Sequence, residues 1–236
     1  ESRQHGRIIV ALQDTGGHFG LNLISEGQYT IVTLSPLDRE ETPSYLITVV
    51  AEDAFEQRIS STESFTVIIT DINDNAPDFG TDKFVFSLIE NSPIGTIVGT
   101  VTASDLDEGT NADISYFVDN NGLIDVDPDN GNIVALEVMD KEAVSRMEFM
   151  VGARDKGIPS LQARVPVLIT ITDQNDNPPR FSENEYVFRI AGFVPIGTTV
   201  GSVMAFDPDE GTNAEVSYRI GNGNVEDKFA INSENG

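Results

Sequence analysis

Two stretches of the chain, TDINDNAPDF at 70–79 and TDQNDNPPRF at 172–181, each set a row of oxygen-bearing side chains directly before proline. They lie 172 − 70 = 102 residues apart. Oxygen-only sets of Asp, Asn and Glu suit Ca2+, which takes about six to eight such ligands in flexible geometry. Mg2+ fits less well, because it keeps its waters and uses few carboxylates. A proline after the row lacks an N–H and biases the residue before it to an extended backbone, which leaves carbonyls free to face an ion. Two carboxylates about 5 Å apart repel by roughly 3 kcal/mol at an effective dielectric near 20. Converging acids would therefore splay a connector unless cations sat between them, and the expected connector is flexible without metal and rigid with it.

The same offset recurs along the chain. PIGT at 93–96 returns at 195–198, DLDEGTNADISY at 105–116 as DPDEGTNAEVSY at 207–218, LDRE at 37–40 as MDKE at 139–142, and AED at 51–53 as ARD at 153–155. A period this long points to whole domains of about 100 residues in tandem rather than a solenoid of short repeats. Three units are expected: 1–77 without its beginning, 78–179 complete, and 180–236 ending in mid-domain.

The elements that must position these acids read as strands. Phe65, Val67 and Ile69 alternate with Thr66, Ile68 and Thr70, and Val165, Val167, Ile169 and Ile171 alternate likewise. Val, Ile, Phe and Thr at period two, broken by Gly, Pro, Asn and Asp clusters, predict an all-β antiparallel sandwich of about seven strands per unit, with no helical periodicity. Pro166 inside one run predicts an edge or a bulge.

The formal charge of -25, from 39 Asp plus Glu against 14 Lys plus Arg, argues against nucleic acid or anionic lipid as a partner. With no Cys, disulfides and thiolate sites are excluded. No signal peptide, transmembrane run or lipidation signal is present, so any such part of the parent protein is expected outside these residues. Asn91-Ser92-Pro93 fails the N-glycosylation pattern.

Three decoys weigh less. DVDPDNG at 125–131 resembles the start of an EF-hand loop, but Asn130 stands where Gly is required and Leu136 where the bidentate Glu belongs, so a solvated strand-turn-strand is expected. His5 and His18 read as surface polar residues without partners. A glycosidase pair would need one acid in an apolar pocket, whereas these acids cluster among polar groups, and no enzymatic activity is expected.

Five motifs in fixed order, a Glu before the PIG turn, D-x-D, D-x-E, A-x-D and D-x-N-D-N-x-P, make the chain resemble tandem extracellular repeats of the cadherin superfamily, of a long, protocadherin-like or giant type. The resemblance implies calcium-binding connectors with up to three Ca2+ each. In the first connector it implies Asp38, Glu40, Asp71, Ile72 (by its carbonyl), Asn73, Asp74 and Asn75, with Asp105, Asp107, Asn111 (by its carbonyl) and Asp155 from the next unit. The Glu that the first unit should supply would precede residue 1, leaving two of those ions under-ligated.

For the second connector the resemblance implies Glu90, Asp140, Glu142, Asp173, Gln174 (by its carbonyl), Asn175, Asp176 and Asn177, with Asp207, Asp209 and Asn213 from the third unit. Its A-x-D aspartate would fall past Gly236, so the third ion there is expected to be the weakest. Where the second unit has Glu90, the third has Gly192, which predicts a downstream connector with fewer ions. Lys141 in place of Arg39 leaves the two acidic ligands untouched. The implied role is calcium-dependent cell-cell adhesion by the extracellular part of a single-pass plasma-membrane protein. Its partner would be another cadherin ectodomain, homophilic or heterophilic, with no direct membrane contact by these residues. The alternative is a non-adhesive, force-bearing spacer, favoured slightly by the absence of Trp.

Overall fold

In the computed structural model the described residues are 8–13, 16–53, 59–119 and 122–236. His5 lies outside them. The chain forms two compact units, one of residues 1–78, 104–114 and 154–162, the other of 79–103, 115–153 and 163–236.

The first unit carries β1 (Ile8–Gln13), β2 (Phe19–Ser25), β3 (Gln28–Thr33), β4 (Ser44–Asp53) and β5 (Ser60–Ile68). β1, β4 and β5 form an antiparallel sheet in that order, and β2 and β3 form a hairpin. Ile47, opposite Phe65 in the β4–β5 ladder, is fully buried. Phe19 packs edge-on against Tyr45 with ring centroids 5.1 Å apart. His18 is half-buried rather than a free surface residue: its Nδ1 lies 2.7 Å from Ser35 Oγ and its ring tilts against Tyr45. The Gly-rich flank concealed that partner, because Ser35 reaches it from the far end of the β2–β3 hairpin.

The second unit holds β6 (Phe84–Ile89), β7 (Ile97–Thr100), β8 (Ser115–Val118), β9 (Ile124–Val126), β10 (Asn132–Ala135), β11 (Arg146–Arg154) and β12 (Gln162–Thr172). These seven strands make two sheets, β7-β10-β9 and β6-β12-β11-β8, and the chain changes sheet between non-sequential neighbours as in a Greek key. Val165, Val167, Ile169 and Ile171 of β12 all face the core, joined by Ile133, Val151, Ile124 and Val101. Close approach fixes two glycines. A Cβ on Gly99 would lie 2.3 Å from the Phe86 ring, and one on Gly152 would lie 2.2 Å from the Phe117 ring.

Pro166 sits in a strand that is interior to its sheet, at a position where that strand has no β6 neighbour. β12 pairs with β6, in parallel, only from Val167 onward, so the proline precedes that ladder and breaks none of its bonds. The EF-hand-like stretch is the turn between β9 and β10. Asp127 Oδ1 accepts from the Asp129 and Asn130 amides, and its Oδ2 accepts from Asn130 Nδ2, which leaves a strand-turn-strand.

Residues 180–236, expected as an incomplete unit, carry little strand. Their only strands among the described residues are β13 (Arg180–Phe181) and β14 (Ala205–Phe206), paired with each other. Val187 and Phe188 are exposed.

Candidate metal centres

Each acidic row emerges from the end of a long strand, β5 for residues 71–75 and β12 for 173–177, and meets two loops. In the first unit these are the turn at 38–42 and the DLDEGTN loop, whose 3-10 helix spans Gly109–Asn111. Asp38 closes its turn by accepting from the Glu40 and Glu41 amides, and its own carbonyl accepts from Thr42. That Asx geometry turns Glu40 inward. Asp105 Oδ1 accepts from the Asp107 amide at 3.0 Å and aims Asp107, which is 6% exposed, at the connector. Asn75 then donates from Nδ2 to Asp107 Oδ1 at 2.7 Å and to Asp74 Oδ1 at 2.9 Å. The Ile72 carbonyl accepts from the Asp74 amide while its side chain points to solvent.

Asp155, 2% exposed, accepts from the Gly157 and Leu161 amides and from Asn73 Nδ2, which also donates to the Pro159 carbonyl at 2.6 Å. Gly157 is a residue that motif matching missed: a Cβ there would lie 2.4 Å from the Asn73 side chain. Its only sequence signal is its place two residues after the ARD motif. Asn111 Nδ2 donates to Asp71 Oδ2 at 2.8 Å, which leaves its backbone carbonyl free to face an ion.

The second unit repeats this construction 102 residues on. Asp140 accepts from the Glu142 and Ala143 amides. Asp207 accepts from the Asp209 amide, Asn177 donates to Asp209 Oδ1 at 2.9 Å and to Asp176 Oδ1 at 2.8 Å, and Asn213 donates to Asp173 Oδ2 at 2.8 Å. Glu90 brings a further carboxylate. It is 1% exposed, with Oε1 accepting from the Gln174 amide and Oε2 from the Lys141 amide. Next to it, Asn91 donates to Asp176 Oδ2 at 2.5 Å. Gln174 and Asn175 point their side chains outward.

Carboxylate oxygens converge to within 4.8 Å in three places: Glu40, Asp71 and Asp107; Glu142, Asp173 and Asp209; and Glu90, Asp140 and Glu142. The first two sets are the same set in register. The donor set is all oxygen, and Asp105 Oδ2 and Asn73 Oδ1 are buried without any hydrogen-bond donor. Buried acceptors left without a donor are what a bound cation satisfies, so the residues fit Ca2+.

The electrostatics differ between neighbours. Burial, followed by the charges of Asp107 and Asp155, pushes the Asp105 carboxyl above its ordinary range. Burial likewise raises Glu142, helped by Asp140 and Glu90, and burial with Asp38 raises Glu40. Asp71 goes the other way. Burial opposes ionisation there, but hydrogen bonds from Asn111 and the Glu108 amide, together with Arg39, hold it below the usual range. Asp173 is held down mainly by Asn213, against burial, with the Glu210 amide and Lys141 adding to it.

A Cadherin domain family model matches residues 84–172 and 186–236. Human Protocadherin-7 is 38% identical over 212 residues, which is 89% of this chain and 20% of that protein. The chain thus spans about a fifth of the length of that relative. Among solved structures, Protocadherin Gamma B2 extracellular cadherin domains 3-6 superposes with a TM-score of 0.89 at 31% identity, covering 100% of this chain and 59% of that one. The Protocadherin gammaB7 EC3-6 cis-dimer structure gives a TM-score of 0.87 at 30% identity, covering 98% and 59%. The family model covers more than half of the residues and the 38% identical relative covers 89% of them: the chain belongs to the cadherin family, as extracellular repeats of protocadherin type.

Proposed function

We propose that these residues are part of a calcium-dependent cell-adhesion ectodomain whose connectors are ordered by metal. The supporting observation is the in-register convergence of carboxylate oxygens in both connectors, with Asp105 Oδ2 and Asn73 Oδ1 buried and left without donors at the first. Glu40, Asp71, Asn73, Asp74, Asp105, Asp107 and Asp155 would hold ions at the first connector, and Glu90, Asp140, Glu142, Asp173, Asp176, Asp207 and Asp209 at the second. Bound Ca2+ supplies positive charge between carboxylates that otherwise repel. Asn75 and Asn177 position the acids across each connector, and Asp38 and Asp140 fold the turns that present Glu40 and Glu142. Affinity in the range of extracellular modules, with dissociation constants of about 10⁻⁴ to 10⁻³ M, would make the connectors respond to extracellular calcium.

The domain division 1–77, 78–179 and 180–236 belongs to the same reading, as does placement outside the plasma membrane in a single-pass parent. No helix of the described residues is long and apolar enough to cross a membrane. Cadherin repeats are adhesion modules rather than catalysts, and the partner proposed is another cadherin ectodomain, in line with the cis-dimer of the gammaB7 relative. The second reading, a force-bearing spacer, is favoured by the absence of Trp, which removes tryptophan exchange between tips. Small-angle scattering in excess Ca2+ and in chelator tests the shared mechanism. A longer, stiffer particle with calcium is expected, and an unchanged profile refutes it. Calcium-dependent self-association in ultracentrifugation separates adhesion from spacing.

A further inference from the structure

The basic residue inside each D-x-E motif is not a bystander. Arg39, whose side chain is 10% exposed, reaches three carboxylates: Glu40 Oε1 at 2.6 Å, Asp71 Oδ1 at 2.6 Å and Glu108 Oε1 at 2.9 Å. Its Nη2 also donates to the Leu106 carbonyl at 2.9 Å. The contact to Asp71 is one of charge, since Nε and Oδ1 are close but not aligned as a hydrogen bond. Lys141, 9% exposed, sits at the equivalent place and reaches two carboxylates: Glu210 Oε2 at 2.5 Å and Asp173 Oδ1 at 3.6 Å. In both cases the connector aspartate also accepts from the backbone amide of that same glutamate at 3.1 Å, Glu108 for Asp71 and Glu210 for Asp173.

We propose that Arg39 and Lys141 are built-in counter-cations that clasp each connector to the DEGTN loop without metal, and that the Arg clasp is the tighter one. A planar guanidinium offers five donors in a fixed fork and engages several acceptors at once. An ammonium is a mobile, strongly hydrated point charge. With calcium withdrawn, the connector at 71–75 therefore keeps more order than that at 173–177, and one chain carries two connectors with different calcium dependence. Glu108 and Glu210, outside the expected ligand set, act as the outer jaws. This inference rests on the calcium reading only for what replaces the metal; the clasp itself stands on the ion pairs.

Hydrogen exchange of the Glu108 and Glu210 amides in chelator, read by NMR on the full chain, tests it. In the parent, Glu108 is expected to exchange more slowly than Glu210. Arg39→Gln should accelerate Glu108 about tenfold or more, Lys141→Gln should accelerate Glu210, and calorimetry should find the number of bound calcium ions unchanged in both. Arg39→Lys keeps the charge and covers the case in which Arg39→Gln does not fold; it should bring Glu108 to the exchange rate of Glu210. Unchanged Glu108 exchange in Arg39→Lys, or loss of a bound calcium in either glutamine variant, overturns the clasp. Asp105→Asn separates the two readings: it should lose calcium with Glu108 exchange in chelator intact. Calcium binding retained in that variant sinks the metal assignment and leaves the clasp standing.

Discussion

Asn75 Nδ2 bridges Asp74 and Asp107, and Asn177 Nδ2, 102 residues on, bridges Asp176 and Asp209 in the same way. One amide therefore ties a connector carboxylate to a carboxylate of the following repeat's D-x-D motif. It takes one oxygen of each and keeps the two acids side by side despite their mutual repulsion. This explains why Asn, and not a third Asp, ends each row: an acid there would have no proton to donate.

Asp176 and Asp127 make a sharp comparison. Asp176 accepts from Asn91 and Asn177 at the second connector. Asp127 is fully engaged within its own turn. Asp176→Ala is expected to weaken calcium binding at that connector at least tenfold, with little effect from Asp127→Ala, which should instead lower the melting temperature. Equal losses in calcium titration calorimetry would remove the assignment of the second connector.

Gly157→Ala tests whether the ARD loop shapes the first centre. The added methyl would meet the Asn73 side chain at 2.4 Å and Asn111 Oδ1 at 2.7 Å. Asn73 cannot swing aside cheaply, since it is held by Asp155 and the Pro159 carbonyl. Calcium affinity at the first connector should fall several-fold with circular dichroism unchanged. An affinity equal to the parent's would show that Asn73 does not need its present place.

Acid should act in two windows. Glu40, Asp105 and Glu142 have raised carboxyl pKa values, so as pH falls they take up protons before ordinary carboxylates do, protons compete with calcium there, and binding weakens in that direction. Asp71 and Asp173 are depressed in the folded state. Their contribution to stability is fully present above the unfolded aspartate value of about 3.9 and is lost only as pH drops through the lower folded value. Calorimetry at pH 7 and pH 5, set beside acid unfolding in chelator, should show calcium released well before the metal-free fold is lost. Simultaneous loss would contradict the opposed shifts.

Much of this was legible in the residues because the repeat is its own control. The alternation of Val165, Val167, Ile169 and Ile171 predicted a buried strand face, and the offset of 102 placed Glu40 with Asp107 and Glu142 with Asp209 before any geometry was known. What stayed hidden depends on contacts between segments far apart in sequence. Arg39 reads as a neutral spacer in LDRE until the DEGTN loop arrives beside it. Gly157 is one glycine among 20 until Asn73 packs against it.

Gly131 closes the turn that the EF-hand resemblance misdescribed, and its substitution should be costly. It sits at φ 72, its amide donates to the Asp127 carbonyl, and an added Cβ would lie 2.2 Å from the Val101 carbonyl oxygen. Gly236 repeats the arrangement against Val203, at φ 77 with 2.3 Å to the carbonyl oxygen, so the turn is a built feature of both repeats. A left-handed backbone strains any other residue, and here the neighbour is backbone that cannot rotate away. Gly131→Ala is expected to destabilise the second repeat by about 2–4 kcal/mol in denaturant unfolding. Asn at this position would ease the backbone term but not the clash, so Gly131→Asn should be comparably destabilised; a parent-like Gly131→Asn would mean that φ alone, and not the approach to Val101, selects glycine there.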